Sequence, residues 1–525
     1  MHSNPIQDIS DISLDEVIGQ TLAFGWNDIE HGDSTSFNEH ARILTEELQV
    51  GTIILMGRNL QSFDQSSAVI SDLQSHSNIP LFVAVDQEGG AVNRFRPANS
   101  PFHEFPGNMA LGAITVGPEG HSPSEWARLQ GAQQADELRS VGVTWNFAPV
   151  ADVNNNPSNP IIGVRSYGDE PELVADFAVA AATGLKNGGV LACAKHFPGH
   201  GDTDVDSHLN LPRIAGDRTR LEEIELVPFR ALIEHGIGAI MTTHIVFPAL
   251  DPDRPATLSP QILTSLLRMD LGYNGIVITD CLEMDAIRNT VGTAQAAVEA
   301  LKVGADVVLV CHTLEVQREV VRQIKEALAF GYLTEDRIRE AAGRVLVAKE
   351  KMSGQQPEPS APDDDNLEME IARHSITIVR NGGLLPISNP AIRDAIIVSD
   401  HHSAKGFAEK LGKRFRSAIV VPLVKANKLE PTGDSVILLA VAPHEAFADH
   451  IVDQKLQLKV AKDVLNKFAD QTILIPLREP YVLKELTEAK TVICGYGYRE
   501  YTLQALANAI CGDFEPTGRL PVTVT

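Results

Sequence analysis

Short runs of β-branched and other apolar residues alternate with helical patterns through about the first 350 residues. Eight of these runs predict strands: Thr21–Trp26, Gly51–Leu55, Leu81–Asp86, Thr144–Asp152, Val190–Phe197, Ala239–Val246, Gly275–Asp280 and Ala305–Val310. Their almost continuous apolar character is typical of parallel strands that are buried on both faces. Eight strand–helix units predict a (β/α)8 barrel of the TIM type with long loops. A doubly wound open sheet is the alternative, because alternation alone does not separate the two architectures.

The segments between the strands carry the start and stop signals of helices. Ser259 and Pro260 open one helix, its apolar stripe follows, and Gly272 comes after its end. A cap residue, a proline at the first position and a glycine beyond the last turn are the expected order of these signals. Glu125–Ser140 has the same pattern, with Gly142 after it.

A second domain follows a polar linker. Residues 353–365 read SGQQPEPSAPDDD, a composition typical of an exposed connection. Beyond it, five apolar runs predict an α/β sandwich domain with a mostly parallel sheet: Ala395–Ser399, Ala418–Pro422, Val436–Ala442, Thr472–Pro476 and Thr491–Gly495. We therefore predict a barrel domain at 1–352, a linker at 353–366 and an α/β sandwich domain at 367–525. The last residues, Leu520–Thr525, also have a strand pattern.

Composition and charge exclude several classes of protein. The chain has 525 residues, of which 43% are hydrophobic and 22% charged, so it is neither disordered nor fibrous. Its 44 basic and 69 acidic side chains give a net charge of −25. Nucleic acids and anionic membrane surfaces are therefore poor partners. The amino terminus has no signal-peptide pattern, which favours a cytoplasmic location.

The five cysteines are far apart, and no CxxC pair occurs among them. This spacing predicts neither a disulfide framework nor a thiolate zinc site. Most of these cysteines lie in apolar runs, where a thiol behaves as a small hydrophobic group.

Charged residues and histidines cluster at the ends of the predicted strands. In a barrel, this is where functional groups lie. The cluster comprises Asp86, Glu88, Arg94, Arg165, Lys195, His196, His200, Asp202, Asp204, Asp206, His208, His244 and Asp280. Each residue alone has an ordinary interpretation: Asp280, for example, is at a position that often caps a helix. Their shared position at one end of the strands favours a functional site.

Four segments, in this order and spacing, resemble family 3 glycoside hydrolases, and specifically their β-N-acetylglucosaminidase branch. They are DQEGGAVNRF (86–95), GVRSYG (163–168), KHFPGHGDTDVDSH (195–208) and VITDCLEM (277–284). The third segment is the most discriminating, because β-glucosidases of the wider family lack that histidine loop. The second half resembles the carboxyl-terminal domain of the family through ARHSITIVRNGGLLPI (372–387) and FEPTGRLPVT (514–523).

The resemblance implies a role for each matching residue. It makes Asp280 the nucleophile, His208 the general acid/base and Asp206 the partner of His208. It assigns the binding of the terminal sugar to Asp86, Arg94, Arg165, Lys195 and His196. A retaining glycosidase needs an ionised carboxylate below the anomeric carbon. A histidine beside a carboxylate is a suitable proton donor near neutral pH.

The chain departs from the commonest pattern of this family at one position. Many relatives have a second Asp directly after the nucleophile, whereas here Cys281 follows Asp280. We interpret Cys281 as a packing residue.

The implied activity is the metal-independent, cofactor-free release of non-reducing terminal N-acetylglucosamine from chitooligosaccharides or peptidoglycan fragments. Three alternatives from the same site are a phosphorylase, a β-glucosidase and a metal-dependent hydrolase that uses His196, His200, Asp206 and His208. A non-catalytic sugar-binding protein would be expected to lack Asp280 or His208. In the second domain, Asp400, His401 and His402 are the most notable polar cluster, which we interpret as a solvated loop. The oligomeric state is not predicted.

Overall fold

The first domain is a closed barrel of eight parallel strands. A computed structural model describes residues 12–27, 33–96, 101–203, 211–357, 366–442 and 454–524. The barrel strands are β1 (Leu22–Phe24), β2 (Thr52–Leu55), β3 (Phe82–Val85), β4 (Trp145–Asn146), β5 (Leu191–Phe197), β6 (Ala239–Thr242), β7 (Ile276–Cys281) and β8 (Val307–Val310). They follow one another around the barrel in chain order, and β8 pairs with β1. The (β/α)8 prediction is confirmed, and the open-sheet alternative is wrong.

Helices surround the barrel. They are α1 (Leu14–Gln20), α2 (Glu39–Arg42), α3 (Phe63–Ser75), α4 (Asn108–Gly112), α5 (Glu125–Ser140), α6 (Pro171–Asn187), α7 (Arg218–Glu223), α8 (Leu226–Glu234), α9 (Asp285–Arg288), α10 (Thr293–Val303), α11 (Leu314–Ala329) and α12 (Glu335–Gly354). The predicted bounds of α5 are confirmed. The helix expected after Pro260 runs over Gln261–Asp270 with π-type hydrogen bonding, and Ile43–Glu47 has the same geometry.

Aromatic side chains fill part of the barrel interior. The rings of Phe82 and Phe147 meet that of Trp145 edge-on, with centroids 5.3 and 5.2 Å away respectively. All three side chains are buried. The alternate side chains of each strand point out of the barrel. Val83 and Val85, for example, pack against the surrounding helices. The barrel is therefore a filled core, and functional groups project from its ends.

The second domain contains a six-stranded sheet in the order β9–β14–β13–β12–β10–β11. Its strands are β9 (Thr377–Arg380), β10 (Asp394–Val398), β11 (Ser417–Val421), β12 (Ser435–Val441), β13 (Thr472–Pro476) and β14 (Thr491–Cys494). Only the β9–β14 pair is antiparallel among the described pairings. Its helices are α13 (Leu367–Ser375), α14 (Ala404–Gly412), α15 (Gln454–Phe468) and α16 (Glu500–Cys511). The predicted α/β sandwich with a mostly parallel sheet is confirmed.

Two predicted strands differ from the structure. In Thr144–Asp152 only Trp145–Asn146 forms a strand, and beyond it the segment pairs with β5 through a single bridge between Val150 and Lys195. Residues 520–524 form no strand. Instead, Asp169 bonds to this segment: its backbone N–H donates to the Pro521 carbonyl, and its carboxylate accepts from the Thr523 N–H at 2.6 Å.

The two domains are in direct contact. The amide of Asn154 donates to the Tyr481 hydroxyl at 2.6 Å, and the Arg519 N–H donates to the Ala113 carbonyl at 2.8 Å. Met109 also packs in the apolar cluster of the second domain. Helix α12 extends to Gly354, and the predicted domain boundaries stay predictions. Among the described residues, no helix is both long and apolar enough to cross a membrane.

Candidate active site

A cavity of about 870 Å³ opens at the carboxyl ends of the barrel strands. Its walls include residues at or just beyond the ends of six strands: Met56, Asp86, Phe147, Lys195, His196, Asp280, Cys281 and Cys311. Strand ends are rigid because the barrel hydrogen bonds fix their backbone. The fold therefore holds polar side chains from distant parts of the sequence around one space.

Two carboxylates and three cations form a connected network in this cavity. The guanidinium of Arg165 binds Glu88 with two hydrogen bonds, of 2.9 and 2.8 Å. Lys195 Nζ lies 2.7 Å from Glu88 and 2.8 Å from Asp86. Arg94 reaches the second oxygen of Asp86 at 3.3 Å. Because each charge has an opposite neighbour, the network can remain ionised although it is largely buried.

The pKa values in this network move in the direction that preserves the charges. Burial alone would raise the pKa of Asp86, but Lys195 and Arg94 outweigh it and hold the pKa well below its usual range. For Glu88, Arg165 and Lys195 likewise overcome burial, and the pKa falls to about 2. The pKa of Lys195 is raised, because the two carboxylates overcome its desolvation. At neutral pH the cavity therefore presents both hydrogen-bond donors and acceptors in fixed positions.

A buried carboxylate orients His196 of the fifth strand and His200 just beyond it. Asp152 accepts from the backbone N–H of His200 at 2.7 Å, and its other oxygen lies 2.7 Å from His196 Nδ1. Burial alone would raise the pKa of Asp152, but its contacts with His196 outweigh burial and lower the pKa. His200 is also buried, and burial with the nearby His196 lowers its pKa to about 4. The His200 imidazole is therefore neutral at neutral pH.

Asp280 is in the last part of β7, and its side chain lines the same cavity. One of its carboxylate oxygens accepts from the Cys281 N–H at 2.7 Å. This contact restricts the rotation of the carboxylate. Asp280 thus reaches the cavity from a strand end, as the sequence predicts.

The second domain supplies another wall of the cavity. His401, His402, Arg478, Tyr498 and Arg499 all line it. These residues follow β10, β13 and β14, so the carboxyl ends of the second sheet face those of the barrel. The rings of His401 and Tyr498 are 4.5 Å apart, and His401 is only 8% exposed. The interpretation of Asp400–His402 as a solvated loop is therefore wrong for His401.

The cavity brings together most of the site residues that the sequence predicts. They are Asp86, Arg94, Arg165, Lys195, His196 and Asp280. His208 and Asp206 lie outside the described residues, so the acid/base pair stays a prediction.

The sequence places Glu88 in the charged cluster but predicts no role for it. Asp152 is predicted only as the last residue of a strand. Both lie on the functional side of the barrel, Glu88 three residues beyond β3 and Asp152 six residues beyond β4. The sequence gives no signal for the role of either residue, because each binds a partner that is distant along the chain. Glu88 binds Arg165, and Asp152 binds His196.

Two thiols also meet at the cavity, although their spacing in the sequence indicated no thiolate site. The potential ligand atoms of Cys281, Cys311 and His312 lie within 4.8 Å of one another. Cys281 ends β7, and Cys311 follows the neighbouring strand β8, so sheet pairing brings them together. The hydrogen bond with Cys281, together with burial, raises the pKa of Cys311 well above its usual value.

Comparison with known proteins agrees with this geometry. The family model of the glycosyl hydrolase family 3 N terminal domain matches residues 13–348. The chain is a family 3 glycoside hydrolase. This match covers the whole barrel, including every predicted site residue.

Relatives of this family 3 enzyme support the same assignment, and two of them match nearly all of its length. Beta-hexosaminidase A of Pseudoalteromonas piscicida is 31% identical over 92% of this chain and 90% of its own. A beta-hexosaminidase of Neisseria meningitidis serogroup B is 37% identical over 52% of this chain and 75% of its own. A family 3 beta-N-acetylglucosaminidase from Paenibacillus sp. str. FPU-7 has a structure with a TM-score of 0.84 and 32% identity, covering 98% of this chain and 99% of its own.

Proposed function

We propose that this glycoside hydrolase is a retaining, exo-acting β-N-acetylglucosaminidase. It removes a non-reducing terminal N-acetylglucosamine from chitooligosaccharides or peptidoglycan fragments. The observation that carries the proposal is the convergence of Asp280 and the Asp86–Glu88–Lys195–Arg165 network on one cavity. The names of the relatives support the choice of N-acetylglucosamine over glucose.

In the first chemical step, Asp280 attacks the anomeric carbon, and His208 donates a proton to the leaving oxygen. The products are a glycosyl ester on Asp280 and the free aglycone. In the second step, His208 takes a proton from water, which attacks the ester and restores Asp280. The sugar keeps its β configuration because two inversions occur in sequence.

The acid/base pair belongs to the segment that follows His200. Thr203 is buried, its hydroxyl lies 3.2 Å from His200 Nδ1, and His200 lines the cavity. His208 is five residues further on, and five residues span at most about 18 Å. This reach supports a role for His208 in the same cavity. Asp206 would favour the protonated imidazole before the first step.

The terminal sugar would be held by the charged network. Asp86 and Lys195 offer an acceptor and a donor 2.8 Å apart, a pattern that matches adjacent hydroxyl groups of a pyranose ring. Arg94, which is partly exposed to the cavity, can donate to a further oxygen. Glu88 orients Arg165 and Lys195 in this arrangement.

The aglycone would extend toward the second domain. Tyr498 and His402 lie at this wall with their rings 5.2 Å apart, and such rings pack well against sugar faces. This arrangement supports an oligosaccharide substrate over a short glycoside.

Hydrolysis of p-nitrophenyl β-N-acetylglucosaminide beside the corresponding glucoside tests the proposal. We expect a strong preference for the former, the β anomer as the first product in NMR spectra, and no activity in the Asp280→Ala variant. A preference for the glucoside would move the assignment to the β-glucosidase branch. The same assay with and without inorganic phosphate distinguishes the acceptor: formation of a sugar 1-phosphate would indicate a phosphorylase.

A further inference from the structure

Two thiols and one imidazole converge directly beside Asp280. The potential ligand atoms of Cys281, Cys311 and His312 are all within 4.8 Å of one another. Each of these residues lines the cavity. The three come from the ends of two neighbouring strands, so the barrel itself brings them together. The proposed glycosidase chemistry uses none of them.

We propose that Cys281, Cys311 and His312 bind a thiophilic divalent cation such as Zn²⁺ or Cd²⁺, and that the bound cation inhibits the enzyme. Zinc takes thiolate sulfur at about 2.3 Å and imidazole nitrogen at about 2.0–2.1 Å in a tetrahedron. In a tetrahedron these lengths place the two sulfurs about 3.8 Å apart and each sulfur about 3.5–3.6 Å from the nitrogen. The observed separations of up to 4.8 Å thus need a contraction of about 1 Å, which side-chain rotation provides.

The backbone around these ligands is fixed by hydrogen bonds. Arg58 donates to the Cys311 carbonyl at 2.5 Å, and His244 Nε2 lies 3.0 Å from the Cys281 carbonyl. The carboxylate of Glu283 accepts from the His312 N–H at 2.7 Å. A fixed backbone lowers the entropy that is lost when a cation brings the side chains together.

The charge balance favours a thiophilic cation over a hard one. Binding releases one proton from each thiol, and the resulting two thiolates neutralise the charge of a divalent cation. The nearby Arg58 guanidinium repels the ion, whereas the Glu283 carboxylate attracts it. Two sulfurs and one imidazole select zinc-like ions, while Mg²⁺ prefers oxygen ligands. A fourth coordination position remains for water from the cavity.

Occupancy would affect Asp280 because it is adjacent to Cys281 and bonded to the Cys281 N–H at 2.7 Å. A cation held there would attract the Asp280 carboxylate and reduce its nucleophilicity. This inhibitory part of the inference rests on the proposed role of Asp280. The binding part does not, so a direct binding measurement separates the two.

Titration of the metal-free, full-length protein with Cd²⁺ and Zn²⁺ tests the site. Cadmium bound to thiolates gives an ultraviolet charge-transfer absorption, so this band reports the ligands directly. We expect one equivalent to saturate the band and to abolish N-acetylglucosaminidase activity in parallel, and we expect EDTA to remove the band and restore the activity. The Cys281→Ser variant should lose affinity by more than the ~10–100-fold that removal of an outer-shell partner costs. Its inhibition is measured relative to its own activity without metal.

Cys511→Ser is the matched control, since Cys511 is a partly buried thiol at the end of α16 in the other domain. It should bind and be inhibited as the parent protein is. If Cys281→Ser does not fold, Cys311→Ala removes the other sulfur and is expected to have the same effect.

Absence of the thiolate band, or an unchanged band in both ligand variants, would overturn the site. Equal inhibition of Cys281→Ser and the parent would move the inhibitory site elsewhere, for instance to the histidines near residue 200. A band without inhibition would overturn the effect on Asp280.

Discussion

Buried ionic clusters are found at both ends of the barrel, but only one of them faces a cavity that contains candidate reacting groups. At the carboxyl end, Asp86 and Glu88 pair with Lys195 and Arg165, and Asp280 opens into the same space. At the amino end, Asp306 is fully buried just before β8. Its carboxylate accepts hydrogen bonds from three arginines at 2.5–3.0 Å, Arg268, Arg337 and Arg344, and from the Val277 N–H at 2.9 Å.

Comparison of the two clusters shows that a buried charge alone does not identify a functional site. Asp306 has every oxygen lone pair directed at a protein donor, so its cluster joins strands β7 and β8 to α12. In the carboxyl-end network, Asp86 and Arg94 keep part of their surface toward the cavity. We therefore expect substitutions at the amino end to change stability, and substitutions at the carboxyl end to change catalysis.

The largest effect is expected for Asp280→Ala. Without the proposed nucleophile, kcat should fall by roughly 10⁴-fold or more, while the thermal transition remains close to that of the parent. Steady-state kinetics and calorimetry on the same preparation check both parts. Near-normal turnover would remove Asp280 from the mechanism.

His208→Ala is expected to lower kcat on a chitooligosaccharide by roughly 10²–10⁴-fold. A glycoside with an acidic phenol as leaving group needs less protonation, so its first step should be affected much less. Comparing the two substrates therefore separates loss of an acid from loss of folding. Equal losses on both would contradict the assignment of His208 as proton donor.

Asp306→Ala tests the other end of the barrel. Removing this carboxylate leaves three arginines without their shared acceptor, and the free energy of unfolding should fall by about 3–5 kcal/mol. Chemical denaturation measures this change. The kcat of the folded fraction should be unchanged, and a selective loss of kcat would show that the two ends are not functionally distinct.

Glu88→Gln keeps the shape of the side chain but removes its charge. The hydrogen bonds from Arg165 and Lys195 to this side chain are then no longer charge-assisted and become weaker. We expect kcat/KM to fall by about 10²-fold, which corresponds to about 3 kcal/mol. Asp306→Asn is the matched control, because it makes the same chemical change at the amino end. A larger kinetic effect in that control would contradict the comparison.

The smallest effect concerns Lys349 on α12, whose ammonium group donates to the neutral oxygens of Gln20 and Gly51 at 2.6 and 2.8 Å. Burial lowers its pKa to about 7. Between pH 7 and the unfolded pKa of about 10.4, the unfolded chain holds more protons at this position, so stability rises with pH. From pH 7 to 8 the parent should gain about 1 kcal/mol relative to Lys349→Met. Urea denaturation at both pH values measures this difference. An equal change in the free energy of unfolding in the parent and in Lys349→Met would contradict the lowered pKa.

Much of the fold could be predicted because apolar runs and helix caps are local signals. The edge strand β9 was not among the predicted strands, since its residues after Thr377 are half-buried and its partner β14 is far along the chain. The pattern in residues 520–524 resembled a strand, but the contacts with Asp169 determine its conformation. Such tertiary contacts have no local signal in one sequence.

The candidate site followed a similar division. Strand-end positions and family motifs predicted Asp86, Lys195 and Asp280, which do share a cavity. The contribution of His401 could not be predicted, because it depends on how the second sheet faces the barrel. The meeting of Cys281 with a second thiol depends on the register between β7 and β8.

A covalent intermediate at Asp280 is the step that the proposed mechanism most requires. A 5-fluoro-N-acetylglucosaminyl fluoride should form this intermediate quickly and release it slowly, so the ester can be located by peptide mass spectrometry. We predict one fluorosugar per chain on the peptide that contains Asp280, and none in Asp280→Ala. A label on a different residue, or turnover of the reagent without a covalent adduct, would contradict the assignment of Asp280 as the nucleophile.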